Sequence, residues 1–464
     1  MENFWDFSAW GTLNVIAVLF VSLLAANALK KAFHFLQASL IPTSVLGGGM
    51  LIIVAAMYRL ITGEVMFDTS FFGKNGTATL EIITYHTLAL GFIASTLKGG
   101  KGKLTKQRTT EIFNTGVTTV ATYLLQGIVG MTISMLAVCF VPDFFAAAGI
   151  LLPFGYGQGT GQALNYGNIF EMEHGFAGGK SFGLTIAALG FLSASIGGVI
   201  YLNYLKRSGR VTEQMIAERK LRSEEIQGDN EIPMQESIDK MTVQVALVVV
   251  SYLLAYLLMY ILGNLLPGMK TVIFGFNFLL GVLMATVVKL ILNRWKRKEV
   301  VKKEYVNDFL MTRTSNFFFD IMVVAGIAAI RLDTLEDFWG IILIMGFVGL
   351  IVTYIYNHFV AKKLFFEYRE EQFLTMFGML TGTASTGIIL LREIDGDFET
   401  PASDNMVYQN FPAIVFGFPL MIIATMAPVK PMFTLIVLIL FFMVMNVILF
   451  RSYLFASFRK KKEK

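Results

Sequence analysis

The chain has 464 residues, of which 55% are hydrophobic and only 15% are charged. Soluble domains have about a quarter charged residues, so this composition predicts a helical protein that crosses a membrane many times. The formal net charge is +5, but the basic residues are grouped between apolar segments, as membrane topology requires, and nucleic acid is not an expected partner. One cysteine, Cys139, and four scattered histidines exclude a disulfide framework and give no metal-binding spacing.

Eleven apolar segments are each long enough to cross a bilayer as a helix, which takes about 20 residues. We predict spans at residues 10–31, 40–61, 77–97, 110–140, 178–205, 242–264, 271–293, 314–331, 338–361, 406–427 and 431–450. Two segments rich in Gly, Thr and Ser, near 145–170 and 370–397, remain between these spans. The expected fold class is an all-α polytopic membrane protein.

Basic residues cluster in every second connection between the predicted spans. The clusters fall at residues 30–31, 98–108, 206–210, 294–303, 362–363 and 459–464. Connections rich in Lys and Arg stay in the cytoplasm. We therefore expect the N-terminus outside the cell and the C-terminus in the cytoplasm.

A long charged connection, residues 207–240, divides the chain near its middle. Five predicted spans precede it, and the next five spans form an equivalent set. An odd number of spans in each half inverts the second half in the membrane, an arrangement common in secondary transporters. We predict a first inverted repeat at 1–206, a second at 241–428, and an additional helix with a basic tail at 429–464.

The two Gly-rich segments occupy the same place in the two halves, between the fourth and fifth spans. A Phe-Gly pair and a Gly-Thr pair recur at the same spacing, from Phe154 and Gly159 in the first half and from Phe377 and Gly382 in the second. Each Gly inside a helix costs about 1 kcal/mol relative to Ala. Irregular backbone at membrane depth survives only where protein buries it or where it lines a wet cavity. We predict two re-entrant loops that form a binding site; the alternative is that small residues only allow close helix packing.

Polar groups in these loops suit an anionic solute together with a hard cation. Hydroxyls and freed carbonyls offer oxygen ligands to Na⁺, and the N-termini of short helices attract a carboxylate. Predicted substrate contacts are Gln158, Gly159, Thr160, Gly161, Gln162, Asn165, Ser385, Thr386 and Arg392. Predicted cation ligands are Thr160, Thr381, Thr383, Ser385 and Asp320.

Two of the charged candidates have a second interpretation. Arg392 could hold a substrate carboxylate through two hydrogen bonds, or it could pair with a neighbouring acid such as Glu393 or Asp395. Asp320 could take part in cation coupling, or its side chain could reach the aqueous phase at the cytoplasmic end of its helix. Both interpretations stay open for each residue.

Four motifs resemble the bacterial sodium/glutamate symporter family. They are Ile41-Pro42-Thr43-Ser44-Val45-Leu46-Gly47-Gly48, Lys98-Gly99-Gly100, Gly157-Gln158-Gly159-Thr160-Gly161 and Gly382-Thr383-Ala384-Ser385-Thr386-Gly387-Ile388. The resemblance extends to about residue 430. The sequence departs from the family pattern at Gln158, where a His is expected, and at Ser385, where a Pro is common.

The resemblance implies a ten-helix core of two inverted five-helix repeats with opposed re-entrant hairpins. It also implies a homodimer in the cytoplasmic (inner) membrane, elevator-like movement of the hairpin domain, and uptake of glutamate driven by Na⁺. Na⁺ is then the coupling ion, and no other cofactor is expected. The alternatives are another carboxylate or amino acid as solute, H⁺ as coupling ion, or an ion channel built on paired re-entrant loops.

An enzyme is not expected from this sequence. No nucleophile and base occur together at a recognisable spacing, and the Gly-rich loop lacks the Lys-Ser or Lys-Thr of an ATP-binding loop. The function predicted is therefore secondary active transport by alternating access.

Overall fold

A computed structural model describes residues 3–98, 105–141, 144–209, 231–234, 237–299, 303–335, 337–395 and 399–453. Over these residues the chain is helical, and its extended structure is limited to an isolated bridge between Glu231 and Glu304. The basic clusters predicted at 98–108 and 459–464 and the connection at 207–240 lie wholly or partly outside the described residues. An all-α architecture is confirmed for the part of the chain that is described.

The helices that precede the long connection are α1 (Phe7–Ala32), α2 (His34–Ala38), α3 (Thr43–Thr62), α4 (Gly76–Leu97), α5 (Lys106–Ala137), α6 (Leu151–Gln158), α7 (Thr160–His174) and α8 (Gly179–Arg207). The helices that follow it are α9 (Lys240–Leu265), α10 (Lys270–Gly275), α11 (Asn277–Arg297), α12 (Asp308–Ala328), α13 (Trp339–Leu364), α14 (Arg369–Thr381), α15 (Ala384–Arg392), α16 (Ala402–Tyr408), α17 (Asn410–Met426) and α18 (Pro431–Leu449).

Nine helices within the described ranges are long and apolar enough to cross a membrane: α1, α3, α4, α5, α8, α9, α11, α13 and α18. Each corresponds to one of the eleven predicted spans. The predicted span at 406–427 is a bent pair, because α16 and the part of α17 from Pro412 meet at 51°. The predicted span at 314–331 is α12, which is helical but carries Arg313 and Asp320 and is not among the nine.

Local sequence explains where several of these helices begin and end. Side chains of Thr105, Asp239 and Asn307 accept hydrogen bonds from the first backbone N–H groups of α5, α9 and α12. Such caps satisfy donors that have no partner inside the helix. Basic residues occupy the last turns of α1, α8, α11 and α13, where they complement the helix dipole.

The described helices belong to two compact units. The first unit comprises Met1–Ala26, Leu46–Lys103 and Arg219–Ala329. The second unit comprises Asn27–Val45, Leu104–Glu218 and Ile330–Lys464. Each unit therefore takes segments from both halves of the sequence.

In the first unit, small residues allow close helix contacts. A Cβ atom added to Gly48 of α3 would lie 2.6 Å from the Cβ of Ile327 in α12. A Cβ atom added to Gly91 of α4 would lie 2.7 Å from the Phe319 ring. The Gly-Gly pair that resembles the family's second-span motif thus has a packing role here.

A buried ion pair fixes the start of α9 in the same unit. The Lys240 side chain is fully buried and donates to Glu231 at 2.7 Å. Asn307 also donates to Glu231, at 2.6 Å. A buried charge needs a partner and further hydrogen bonds, and here Glu231 from the end of the long connection provides them.

Candidate functional site

The first Gly-rich segment is a helical hairpin in the second unit. Helix α6 ends and α7 begins on either side of Gly159, whose φ of 80° and ψ of −171° are angles that essentially only Gly adopts. The ring of Phe154 stacks on that of Tyr166 with centroids 3.7 Å apart. In a continuous helix these residues would be roughly 18 Å apart. The chain therefore reverses direction at Gly159.

The second Gly-rich segment also folds back on itself. Helices α14 and α15 are separated by Gly382 and Thr383. A Cβ atom added to Gly378 would lie 2.8 Å from the Cα of Gly387, and one added to Gly387 would lie 2.5 Å from the Thr375 carbonyl oxygen. The two arms are in backbone contact because neither Gly carries a side chain.

The ends of the two hairpins meet at the middle of α8. A Cβ atom added to Gly190 would lie 2.3 Å from the Thr381 carbonyl oxygen and 3.1 Å from Cδ2 of Tyr156. The Tyr156 hydroxyl donates to the Gly346 carbonyl of α13 at 2.6 Å and is 2.8 Å from the Ser193 hydroxyl of α8. Both breaks predicted from the sequence thus lie beside one helix.

Gln126 of α5 contacts both hairpins. Its Nε2 donates to the Leu380 carbonyl at 2.8 Å and to the Thr353 hydroxyl at 2.9 Å. Its Oε1 has no hydrogen-bond partner among the described residues, and a Cβ atom added to Gly157 would lie 3.3 Å from it. The side chain is fully buried, so it bonds to the second hairpin and to α13 beside Gly157 of the first hairpin, in a region closed to solvent.

Neither Gln126 nor Gly190 was among the predicted site residues. The signal for Gln126 was available, because an amide in the middle of an apolar span is usually functional or paired. The signal for Gly190 was absent, since α8 contains several other Gly residues and the sequence does not distinguish among them.

The structure brings most predicted residues of the first hairpin together at the break. Gln158 is half-buried, while Gly159, Thr160 and Gly161 are buried, and so are Gln162 and Asn165 in the next turn. Asn165 donates to Oε1 of Gln162 at 3.2 Å. Nε2 of Gln162 is buried and has no hydrogen-bond partner in the described part of the chain. This amide is a donor that a bound carboxylate could use.

The predicted residues of the second hairpin surround its break as well. The buried hydroxyl of Thr381 donates to the Phe377 carbonyl at 2.6 Å, which leaves its oxygen able to accept or to bind a cation. The hydroxyls of Thr383 and Thr386 are 3.5 Å apart. The side chain of Ser385 lies outside the described part of the structure.

Neither of the two charged candidates is part of a break. Arg392 is exposed in the last turn of α15, at the opposite end of that helix from the break. Asp395 accepts hydrogen bonds from the backbone N–H groups of Glu399 and Thr400. Asp320 is exposed in α12 and belongs to the first unit, whereas both hairpins belong to the second.

A polar network holds the start of the second hairpin against α5. The Tyr368 hydroxyl donates to Glu111 at 2.8 Å, and Glu111 pairs with Arg108 at 2.6 Å. Asn405 of α16 donates to the Tyr368 hydroxyl at 2.9 Å and to Gln372 at 3.1 Å. Burial raises the pKa of Tyr368, and its hydrogen bond to Glu111 raises that pKa further. Tyr368 therefore remains a neutral donor.

Comparison with known families identifies one match. The family model described as sodium/glutamate symporter matches residues 7–369, which is well over half of the chain. The matched range contains the whole first hairpin and ends where α14 begins, so it stops short of residue 430 and leaves out the second hairpin. No curated protein matches the chain.

Proposed function

Because the chain belongs to the sodium/glutamate symporter family, we propose that it carries glutamate or a related anionic amino acid together with Na⁺. Family membership makes it a transporter rather than an enzyme, and its apolar helices make it a multi-pass membrane protein. The observation that supports the specific proposal is the meeting of two broken helices at Gly190.

The proposed architecture is a pair of inverted five-helix repeats followed by α18. The composition of the two units supports it. The first unit contains the helices at the positions of the first three spans of each half, and the second unit contains the fourth and fifth spans of each half with the intervening hairpin. Equivalent parts of both halves are thus grouped in the same way, as expected for a repeat.

The proposed solute site uses the start of α7. The first N–H groups of a helix have no partner within the helix and carry its positive dipole end. At this position they follow Gly159, and Nε2 of Gln162, which has no hydrogen-bond partner among the described residues, lies in the same first turn. Together these donors suit a carboxylate.

The proposed cation site uses oxygen atoms of both hairpins. The hydroxyls of Thr160, Thr381 and Thr383 and the backbone carbonyls at the two breaks are hard ligands of the kind that Na⁺ prefers. A lone carboxylate or a lone cation in a low-dielectric site is costly because its charge is uncompensated. Binding of both partners removes that penalty, which gives a physical reason for coupled movement.

Transport is proposed to occur by alternating access with elevator-like movement of the second unit, in a homodimer of the cytoplasmic membrane. Both hairpins belong to that unit, so solute and cation would travel with one body. The N-terminus is assigned to the outside because the basic helix ends of α1, α8, α11 and α13 then all face the cytoplasm.

The decisive experiment is uptake of radiolabelled glutamate into proteoliposomes with an imposed Na⁺ gradient. We expect concentrative uptake that choline does not support. Thr160→Val and Thr383→Val should raise the Na⁺ concentration needed for half-maximal uptake. Thr132→Val is the matched control, because Thr132 is exposed on α5 and its hydroxyl donates to the Ile128 carbonyl of the same helix.

The outcome of this experiment also separates the alternatives. Equal uptake in choline would contradict Na⁺ coupling, and a requirement for a proton gradient would assign H⁺ instead. Competition by other carboxylates would reassign the solute. Unitary ohmic currents in place of saturable uptake would indicate a channel.

A further inference from the structure

A pocket lies at one end of the second unit, well separated from the hairpin breaks. It has a volume of about 330 Å³ and is formed by the C-terminal ends of α8 and α13 and the first turn of α14. Its walls include Tyr201, Tyr204, Tyr354, Lys362, Arg369 and Glu370. Tyr201 is roughly 16 Å along α8 from Gly190, so this pocket is not part of the proposed transport site.

The pocket presents opposite charges side by side. Lys362 and Arg369 are cationic, and Glu370 is anionic. Arg369 donates to Glu370 from Nε at 3.0 Å, so its terminal nitrogens are not used in that ion pair. The Tyr201 hydroxyl also donates to Glu370. The Glu370 carboxylate is thus the anionic group of the pocket, held in place by Arg369 and Tyr201.

Aromatic rings form the rest of the wall. The ring of Tyr201 is 6.0 Å from those of Tyr204 and Tyr354, and it is edge-on to Tyr354. The imidazole of His358 stacks on Tyr354 with centroids 6.1 Å apart. Faces of such rings attract ammonium groups, while the cationic side chains at the rim attract oxyanions.

We propose that this pocket binds a small zwitterion that carries a primary ammonium and an oxyanion. The ammonium contacts Glu370 and the tyrosine faces, and the oxyanion contacts Lys362 and Arg369. A ligand with only one charge would leave either the cationic or the anionic side chains of the pocket without an oppositely charged partner from the ligand. Two sources have this chemistry: the phosphoethanolamine headgroup of a membrane lipid, and a free amino acid.

The site would tie the second hairpin to its neighbours. Arg369 and Glu370 are the first residues of α14, the arm that leads to Thr381 at the break. A ligand between these residues and Lys362 joins the base of the hairpin to the end of α13. Occupancy would therefore stabilise the second unit.

The test is the melting temperature of the delipidated full-length protein in detergent and Na⁺-free buffer. The probes are glycerophosphoethanolamine for the lipid headgroup and L-alanine for a free amino acid. Glycerol 3-phosphate and ethanolamine each supply half of the required chemistry. We expect one zwitterion to raise the melting temperature in a saturable manner and to exceed the effect of either half. A larger effect of glycerophosphoethanolamine identifies a lipid headgroup as the ligand, and a larger effect of L-alanine identifies a free amino acid.

Charge-neutral variants then locate the binding. Lys362→Gln and Glu370→Gln should each weaken the apparent Kd on the order of tenfold, as expected for loss of a charge-assisted hydrogen bond. Lys363→Gln and Glu367→Gln are matched controls, since both residues are exposed neighbours that do not line the pocket. The proposal is overturned if neither zwitterion exceeds both glycerol 3-phosphate and ethanolamine, or if the control variants weaken binding as much. The assay involves no transport, so its result is independent of the proposed uptake.

Discussion

Gly159 shows how one residue determines the form of the first hairpin. Its backbone angles lie in a region that is essentially inaccessible to a residue with a side chain. The chain reversal that packs α6 against α7 depends on these angles. The sequence predicted a break here because five Gly residues lie close together between 155 and 167. It did not indicate which of them carries the reversal, since that depends on tertiary packing such as the stacking of Phe154 on Tyr166.

Replacement of Gly159 by Ala is expected to lower stability by about 1–3 kcal/mol, the cost of a disallowed backbone conformation, and to abolish uptake. Gly175→Ala is the matched control. Its φ of 69° and ψ of 20° are left-handed helical values that other residues sometimes adopt, and nothing lies within 4 Å of an added Cβ. Thermal unfolding in detergent and uptake are the measurements. Equal losses in the two variants would contradict the role assigned to Gly159.

Gln126→Leu tests the contact between the two hairpins. The change leaves the buried Leu380 carbonyl and Thr353 hydroxyl without this donor, so we expect a loss of about 1–3 kcal/mol in unfolding free energy and reduced uptake. Thr132→Val changes an exposed residue in the same helix and should stay within about 0.5 kcal/mol of the native chain. A Gln126 variant with native stability and uptake would show that this side chain does not link the hairpins.

Among the structural elements, the second hairpin combines backbone contact between its arms with polar anchors at its base. Close contact at Gly378 and Gly387 explains why the predicted segment is rich in small residues. The sequence predicted both hairpin segments and all nine apolar spans, because length and composition suffice for them. The charges of α12, Arg313 and Asp320, are visible in the sequence, whereas the bend between α16 and α17 carries no signal in the apolar pattern that distinguishes it from a continuous span.

The pH dependence of stability tests the base of this hairpin. Burial raises the pKa of the Glu371 carboxyl above its ordinary value of 4.5, and the nearby carboxylates of Asp395 and Glu370 raise it further. The folded protein therefore binds this proton more tightly than the unfolded chain. The stability that the protonated group contributes is complete below pH 4.5 and is lost as pH rises through the folded pKa.

Glu371→Gln should accordingly raise the melting temperature at neutral pH and have little effect at about pH 4. The exposed Glu367 provides a matched variant, Glu367→Gln, in which no such gain at neutral pH is expected. Melting temperatures of both variants, measured from about pH 4 to neutral pH, show whether the stabilisation by Glu371→Gln increases with pH as expected. A gain that is larger in acid than at neutral pH would contradict the assignment.

For the whole molecule, the two compact units do not correspond to the two halves of the sequence. The predicted boundary at 207–240 separates the repeats along the chain, but each unit takes helices from both. Hydrophobic pattern and charge clusters report which segments cross the membrane. They carry no information on which segments pack together, because those contacts join residues that are far apart in sequence.

The proposed orientation can be tested with the native cysteine. Cys139 is exposed just after α5, and the orientation places that end outside the cell. A membrane-impermeant maleimide should label it on intact cells. Lys363→Cys in a Cys139→Ser background should react only after permeabilisation, because the end of α13 is assigned to the cytoplasm. The reverse labelling pattern would indicate the opposite orientation in the membrane.

The missing side chain at Gly190 has a consequence for how tightly the two solutes are tied to one another. The Thr381 carbonyl and the Tyr156 ring occupy adjacent sides of the same α-carbon, so the hairpins share a wall with no free space. The two hairpins therefore contact α8 at one residue. Under the proposed function, loading at one hairpin would alter the shape offered at the other, which would give coupling a steric source in addition to the neutralisation of charge.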